Sequence, residues 1–103
     1  MNEILFLGNL PYTLTEQGIK KIFIESGFNV IFLTIEKDEY NFSKGFGFAV
    51  LGSGESSKKV IEKLNGKKIE HLNLRVKSIK EDSKYFYKIF DLLESQAEDL
   101  KNV

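Results

Sequence analysis

The sequence predicts an α+β fold in which strands and helices follow the order β-α-β-β-α-β, with an amphipathic helix after them. Four apolar stretches have the period of a strand, and two stretches between them carry apolar residues at helical spacing. The chain has 103 residues, of which 42% are hydrophobic, enough for one domain with a real core. We expect this domain over residues 1–80 and a separate C-terminal amphipathic helix over residues 81–103.

The first predicted strand covers residues 4–10 and is almost wholly apolar. Side chains two residues apart share one face of a sheet, so Leu5 and Leu7 face one way and Phe6 faces the other. Pro11 follows, and because proline cannot donate a hydrogen bond to a neighbouring strand, the strand is expected to end there.

A first helix is predicted over residues 16–26. Thr15 can serve as its N-cap, and Glu16 places a negative charge in the first turn, where the helix dipole favours it. Ile19 and its neighbours supply apolar residues at helical spacing, and Gly27 is expected to end the helix.

Residues 30–35 are β-branched and aromatic and predict the second strand. We assign Phe32 and Thr34 to the face away from the helices, but a bulge in this strand would reverse the assignment.

The third predicted strand, residues 44–51, reads Lys-Gly-Phe-Gly-Phe-Ala-Val-Leu. Phe46 and Phe48 share one face, whereas Ala49 and Leu51 share the other, which suits close packing against helices. Glycines beside the two aromatic side chains leave room for a flat ligand to approach. This pattern is more typical of a surface on which such a ligand stacks than of a core strand.

A second helix is predicted over residues 55–64, and Gly66 supplies a left-handed stop after it. Residues 72–77 alternate between apolar and polar and predict the fourth strand, whose polar face carries Arg75 and Lys77. The completed order is the split-βαβ, ferredoxin-like arrangement, with two helices on one face of a four-stranded antiparallel sheet.

Two segments resemble the signatures of the RNA recognition motif (RRM) family. Residues 44–51 are similar to the pattern Lys/Arg, Gly, aromatic, Gly/Ala, Phe, Val, any residue, aromatic. Ala49 and Leu51 depart from it, both on the face expected to point into the core. Residues 5–10, Leu-Phe-Leu-Gly-Asn-Leu, resemble the second signature, whose aromatic residue stands at the position of Phe6. Two signatures at this separation are far more specific than either alone.

The resemblance covers about residues 3–78 and implies binding of single-stranded RNA on the open sheet face, in splicing, RNA processing or translation. It implies that Phe6 and Phe48 each stack with a base, that Phe46 packs against sugar and base between them, and that Lys44 pairs with a phosphate. Further expected RNA contacts are Asn9, Tyr12, Arg75 and Lys77. Single-stranded DNA stays an alternative ligand, because stacking does not read the 2′-hydroxyl.

Composition limits the other classes of function. The chain has no Cys and one His, so we expect no metal site, no cofactor and no enzyme activity. No apolar run reaches membrane-spanning length, and the start of the chain lacks a signal-peptide pattern, so we expect an intracellular protein of the nucleus or cytoplasm that is not secreted and contacts no membrane. The net charge is zero, with 12 basic and 9 acidic residues in 1–80 and 3 and 6 in 81–103.

The acidic C-terminal segment carries one apolar stripe at helical spacing. Its members are Phe86, Ile89, Phe90, Leu93, Ala97 and Leu100. Three alternatives stay open: the stripe packs on the helical side of the domain, it covers Phe6, Phe46 and Phe48 until RNA displaces it, or it binds a protein partner or a second copy of the chain. The alternative function is therefore protein–protein interaction through the sheet face or this helix.

Overall fold

The structure, a computed structural model, describes residues 3–80, so the predicted C-terminal helix and its stripe lie outside the described residues. The predicted order of elements is confirmed, with a short additional hairpin before the last strand. The elements are β1 (Ile4–Gly8), α1 (Glu16–Glu25), β2 (Val30–Lys37), β3 (Ser43–Leu51), α2 (Ser57–Leu64), β4 (Lys68–Ile69), β5 (Leu72–Asn73) and β6 (Arg75–Ile79).

Four strands form one antiparallel sheet in the order β2-β3-β1-β6. Phe6, on the central strand β1, lies directly opposite Phe48 of β3 and Lys77 of β6. Residues directly opposite each other in a sheet share a face, so these three side chains lie on the same side. The two strands that carry the sequence signatures, β1 and β3, are therefore neighbours in the sheet.

Both helices pack on the other face of the sheet and enclose the main core. Leu5 and Leu7 of β1 are 0% exposed, which confirms the face assigned to them from the sequence. The core also takes Ile19 and Phe23 from α1, Val60 and Leu64 from α2, and Ala49, Leu51 and Val76 from the neighbouring strands. Neither α1 nor α2 is long and apolar enough to cross a membrane.

Local hydrogen bonds fix the two ends of α1. The hydroxyl oxygen of Thr15 accepts a hydrogen bond from the N–H of Gly18 at 3.0 Å, so the predicted N-cap is confirmed. After the helix, Gly27 has a φ of +88°, a conformation that glycine adopts without steric cost.

The start of α2 was predicted two residues too early. The helix begins at Ser57 because the Ser56 side chain accepts a hydrogen bond from the N–H of Lys59, which makes Ser56 the N-cap. The Glu3 carboxylate also accepts hydrogen bonds from the N–H and the hydroxyl of Ser57, at 2.6 and 3.1 Å. A carboxylate at this end of a helix is stabilised by the helix dipole.

The pairing of β2 with β3 shifts twice. Phe32 lies opposite Val50 and Thr34 opposite Phe48, so the faces assigned to Phe32 and Thr34 are confirmed despite the first shift. At the second shift, between Ile35 and Lys37, β3 contains more residues than the facing part of β2. One of these residues, Gly45, has a φ of +82°. The resulting bulge lies beside the aromatic side chains of β3.

The predicted fourth strand, residues 72–77, is wrong in its boundaries. Its first two residues form the separate strand β5, which pairs with β4 in a short hairpin, with Ile69 opposite Leu72. The strand of the main sheet, β6, begins only at Arg75. The tight turn between β4 and β5 contains Glu70, whose φ is +57°. Such two-residue strands are too short to show a period in the sequence, so the hairpin was not expected.

We predict that Phe23→Ala lowers the free energy of unfolding by about 3–5 kcal/mol, because it leaves a cavity beneath the sheet. Ile24→Ala is the matched control, since its side chain is the next one along α1 and is 58% exposed. We expect this control to stay within about 0.5 kcal/mol of the parent chain in urea denaturation. Equal losses from both substitutions would contradict the described core.

Candidate nucleic-acid interface

The sheet face opposite the helices is organised in three rows that cross the four strands. The apolar row consists of Phe32, Val50, Ile4 and Ile79. The aromatic row consists of Thr34, Phe48, Phe6 and Lys77. The charged row contains Gly8 of β1 and Arg75 of β6, which lie opposite each other. It also contains Glu36, two residues after Thr34 on β2, and Phe46, two residues before Phe48 on β3. The face therefore changes from apolar to charged across the sheet.

Three aromatic rings meet where the aromatic and charged rows adjoin. The rings of Phe6 and Phe46 stack with centroids 5.9 Å apart and planes inclined by 30°. Phe48 meets Phe6 at 6.0 Å and Phe46 at 6.1 Å, in both cases edge to face. These are favoured geometries for aromatic pairs, so the rings hold one another in place. We call Phe6, Phe46 and Phe48 the aromatic platform.

The three rings of the aromatic platform differ in exposure. Phe6 and Phe46 are half-buried and present part of their surface, whereas Phe48 is only 2% exposed. Ile4 and Val50, in the apolar row beside Phe48, are 5% and 4% exposed. The part of the platform that a ligand can reach in this structure is therefore formed by Phe6 and Phe46.

A cavity of about 800 Å³ opens beside these two accessible rings. It lies between the loop after β1, the bulge of β3 and the turn of the β4–β5 hairpin. Six of the eight residues expected from the sequence to contact RNA line it: Phe6, Asn9, Tyr12, Lys44, Phe46 and Arg75. Phe48 and Lys77 are not among its lining residues. The structure thus brings together residues that lie far apart in the chain.

The loop after β1 is attached to the hairpin by side-chain hydrogen bonds. Asn9 has a φ of +58°, and its side-chain amide donates to the backbone carbonyl of Asn73 at 2.9 Å. Asparagine tolerates this left-handed conformation better than most residues. Further along the loop, the hydroxyl of Thr13 donates to the Glu70 carboxylate at 3.2 Å. These contacts fix one wall of the cavity.

The bulge of β3 brings Tyr12 close to the aromatic platform. The N–H of Leu10 donates to the carbonyl of Gly45 at 2.9 Å, which joins the loop to the bulge. A Cβ atom at Gly45 would meet the Tyr12 ring at 3.6 Å, an ordinary contact, so glycine is favoured here by its φ of +82° and not by lack of space. Tyr12 is 79% exposed and adds a fourth aromatic ring at the rim.

Three cationic side chains surround the accessible rings. Lys44 lies in the bulge of β3, while Arg75 and Lys77 lie on β6, and all three are exposed. Within residues 3–80 none of them forms an ion pair, whereas Lys37 on the opposite edge strand pairs with Glu16 at 3.3 Å. In the part of the chain that the structure describes, these three cations therefore carry positive charge that no carboxylate neutralises.

Two features of this surface were not expected from the sequence. Glu36 belongs to the charged row, but the predicted second strand ended one residue before it. Continuing the alternation from Thr34 would have found it. Glu70 and His71 line the cavity because they form the turn of a hairpin that has no sequence period. No group of three or more His, Asp or Glu residues among the described residues is placed to hold a metal ion.

A comparison with known protein families identifies the family of this chain. The family model described as "RNA recognition motif" matches residues 5–75. The chain belongs to the RNA recognition motif family, as the two sequence signatures implied.

Relatives with related sequences are RNA-associated proteins by name. The chain is 37% identical over 73 residues to RNA-binding protein CP33, chloroplastic, of Arabidopsis thaliana, covering 70% of this chain and 22% of that protein. It is 36% identical over 72 residues to the cleavage stimulation factor subunit 2 tau variant of Homo sapiens, covering 70% of this chain and 12% of that protein. The chain thus matches less than a quarter of the length of either relative.

Solved structures confirm the fold class. The Rna15 RRM superposes with a TM-score of 0.69 at 28% identity, covering 78% of this chain and 92% of that one. The Rna15 RRM with bound RNA (GU) gives a TM-score of 0.67 at 28% identity, covering 85% of this chain and 95% of that one.

Proposed function

We propose that this chain binds single-stranded RNA on the sheet face opposite its helices, as a module of RNA processing in the nucleus or cytoplasm. The observation that carries the proposal is the position of the half-buried rings of Phe6 and Phe46 beside three cations that have no acidic partner within residues 3–80. Family membership supports it, as do relatives named for RNA binding and for a cleavage stimulation factor.

The surface suits the chemistry of an unpaired strand. Bases present flat apolar faces, and stacking on an aromatic side chain contributes about 1–3 kcal/mol per base. Phe6 and Phe46 offer such contacts directly, and Tyr12 extends them into the cavity. Lys44, Arg75 and Lys77 supply the positive charge for phosphates. Because these cations are few, we expect a micromolar dissociation constant at physiological salt.

The apolar row is suited to a second contact besides RNA, with an apolar protein segment. Ile4 and Val50 are aliphatic, so they offer no flat ring for a base, yet they are almost fully buried on a face that neither α1 nor α2 covers. An apolar partner is the chemistry that suits them. We propose that the stripe of residues 81–103 is this partner. β6 ends at Ile79 in the apolar row, so the segment after Lys80 starts beside that row.

Contact between the C-terminal segment and the apolar row has a consequence for RNA binding. Phe48 adjoins both the apolar row and the accessible rings, so a segment that buries Phe48 competes with a base for its ring. Residues 81–103 are also acidic and repel a phosphate backbone. RNA affinity is then reduced in proportion to the fraction of molecules in which the segment covers the face.

We predict that Phe6→Ala and Phe46→Ala each weaken RNA binding by about 1–3 kcal/mol, because each removes a stacking surface. The measurement is fluorescence anisotropy of the full chain with a labelled random RNA hexamer. Ile24→Ala, on the helical side, is the control and should not change the affinity. Unchanged affinity in both phenylalanine variants, with the fold intact by circular dichroism, would contradict RNA binding on this face.

Lys77→Ala should weaken RNA binding and reduce the slope of log K against log salt by about 0.7, the contribution of one phosphate contact to a single strand. Lys59→Ala removes the same charge from the exposed side of α2 and is expected to leave the slope unchanged. Anisotropy titrations between low and physiological salt give both slopes. Equal effects of the two substitutions would mean that net charge, and not this face, attracts RNA.

Leu93→Asp places a charge in the C-terminal stripe of the full chain. We predict that it shifts the methyl NMR signals of Ile4, Val50 and Ile79 and increases RNA affinity, because the apolar row loses its cover. Ser95→Asp adds the same charge two residues away, off the stripe, and is the control.

Unchanged methyl signals in Leu93→Asp would contradict the proposed contact. If the signals instead change with protein concentration, a second copy of the chain is the occupant of the apolar row.

A further inference from the structure

A second cavity, of about 420 Å³, lies along the outer edge of β6, and we call it the β6 cavity. Two cations and three asparagines line it: Arg75, Lys77, Asn9, Asn65 and Asn73. Among residues 3–80, none that lines it is acidic, whereas Glu70 lines the cavity beside the accessible rings. The charged side chains along the β6 cavity are therefore all positive, which favours an anionic ligand.

The β6 strand orients the side-chain amide of Asn65. The N–H of Val76 donates a hydrogen bond to the Oδ1 atom of Asn65 at 2.9 Å. Because a backbone N–H can only donate, the amide oxygen must face β6, and the NH₂ group is turned away from that strand. Within residues 3–80 this NH₂ group has no acceptor, and the side chain of Asn73 makes no hydrogen bond. The β6 cavity therefore offers neutral amide donors as well as cations.

The β6 cavity adjoins the cavity beside the accessible rings, because Asn9 and Arg75 line both. In the sheet, Gly8 lies directly opposite Arg75, and Phe6 lies directly opposite Lys77. A strand that stacks on the ring of Phe6 and leaves the sheet over β6 therefore passes these two cations and enters the β6 cavity.

A backbone phosphate suits the groups that line this cavity. Its oxygen atoms accept hydrogen bonds and carry negative charge, so cations and neutral amides are both suitable donors to it. Protein contacts to phosphate oxygens come from Arg and Lys and also from the side chains of Asn and Gln. The absence of a carboxylate from the described lining removes the group that would repel a phosphate.

We propose that the β6 cavity binds a backbone phosphate of the RNA strand next to the nucleotides stacked on the aromatic platform. Arg75, Lys77 and the side-chain amide of Asn65 are its ligands. The inference rests on the proposed RNA binding by the sheet face. It adds a contact beyond that face and the edge over which the strand leaves the sheet.

Asn65→Asp in the full chain tests the contact. Aspartate keeps an oxygen that accepts from the N–H of Val76, but it replaces the amide donor with an oxygen that repels phosphate. We expect this variant to bind a labelled random single-stranded RNA hexamer about tenfold more weakly at physiological salt, the effect of one hydrogen bond to a charged group.

Asn41→Asp is the matched control, since it makes the same substitution in the exposed loop between β2 and β3. Adjacent strands are about 4.8 Å apart, so β2 lies about 14 Å from β6, beyond the Debye length of about 8 Å at physiological salt. The control should therefore change the affinity by less than about twofold.

NMR of the parent chain gives an independent measurement. On addition of the hexamer, the side-chain amide signals of Asn65 and Asn73 should shift, whereas those of Asn29 and Asn41 should not. Unchanged signals of Asn65 and Asn73 in an RNA-bound chain would overturn the inference and leave RNA binding intact, even if the variant does not fold. Equal weakening by Asn65→Asp and Asn41→Asp would also overturn it, because long-range charge would explain both. Absence of binding by the parent chain would overturn the proposed function and this inference with it.

Discussion

The register of β1 between β3 and β6 is the constraint on which the sheet face depends. Phe6 lies opposite Phe48 and Lys77, while Leu5 and Leu7 point into the helical side. A slip of one residue would exchange these two sets between core and solvent. Full burial of one such leucine contributes about 1.5–3 kcal/mol, so the core fixes the register and thereby places the aromatic rings on the opposite face.

The three rows divide this face into regions of different chemistry. The aromatic and charged rows combine rings and cations, which suit a strand of flat bases and negatively charged phosphates. The apolar row, represented by Ile4 and Val50, suits protein contact instead. Phe48 lies at the boundary and takes part in both clusters of contacts. Because one ring adjoins both regions, the proposed RNA binding and the proposed protein contact would compete for Phe48 without any change in the fold.

Much of this arrangement was predictable because alternation in a strand directly encodes the two faces of a sheet. It placed Leu5, Phe6 and Ala49 correctly, and two local signatures identified the strands that carry the aromatic rings. Alternation indicates which face a side chain lies on but not how much of it is exposed, so the burial of Phe48 could not be predicted. It also fails where a strand is very short, as in the hairpin around Glu70.

An NMR shift titration of residues 1–103 with a random single-stranded RNA hexamer locates the RNA on the protein. If RNA binds the sheet face opposite the helices, the largest shifts occur at Phe6, Phe46, Arg75 and Lys77, with little change along α1 and α2. Shifts concentrated on the helices, or none anywhere, would contradict it.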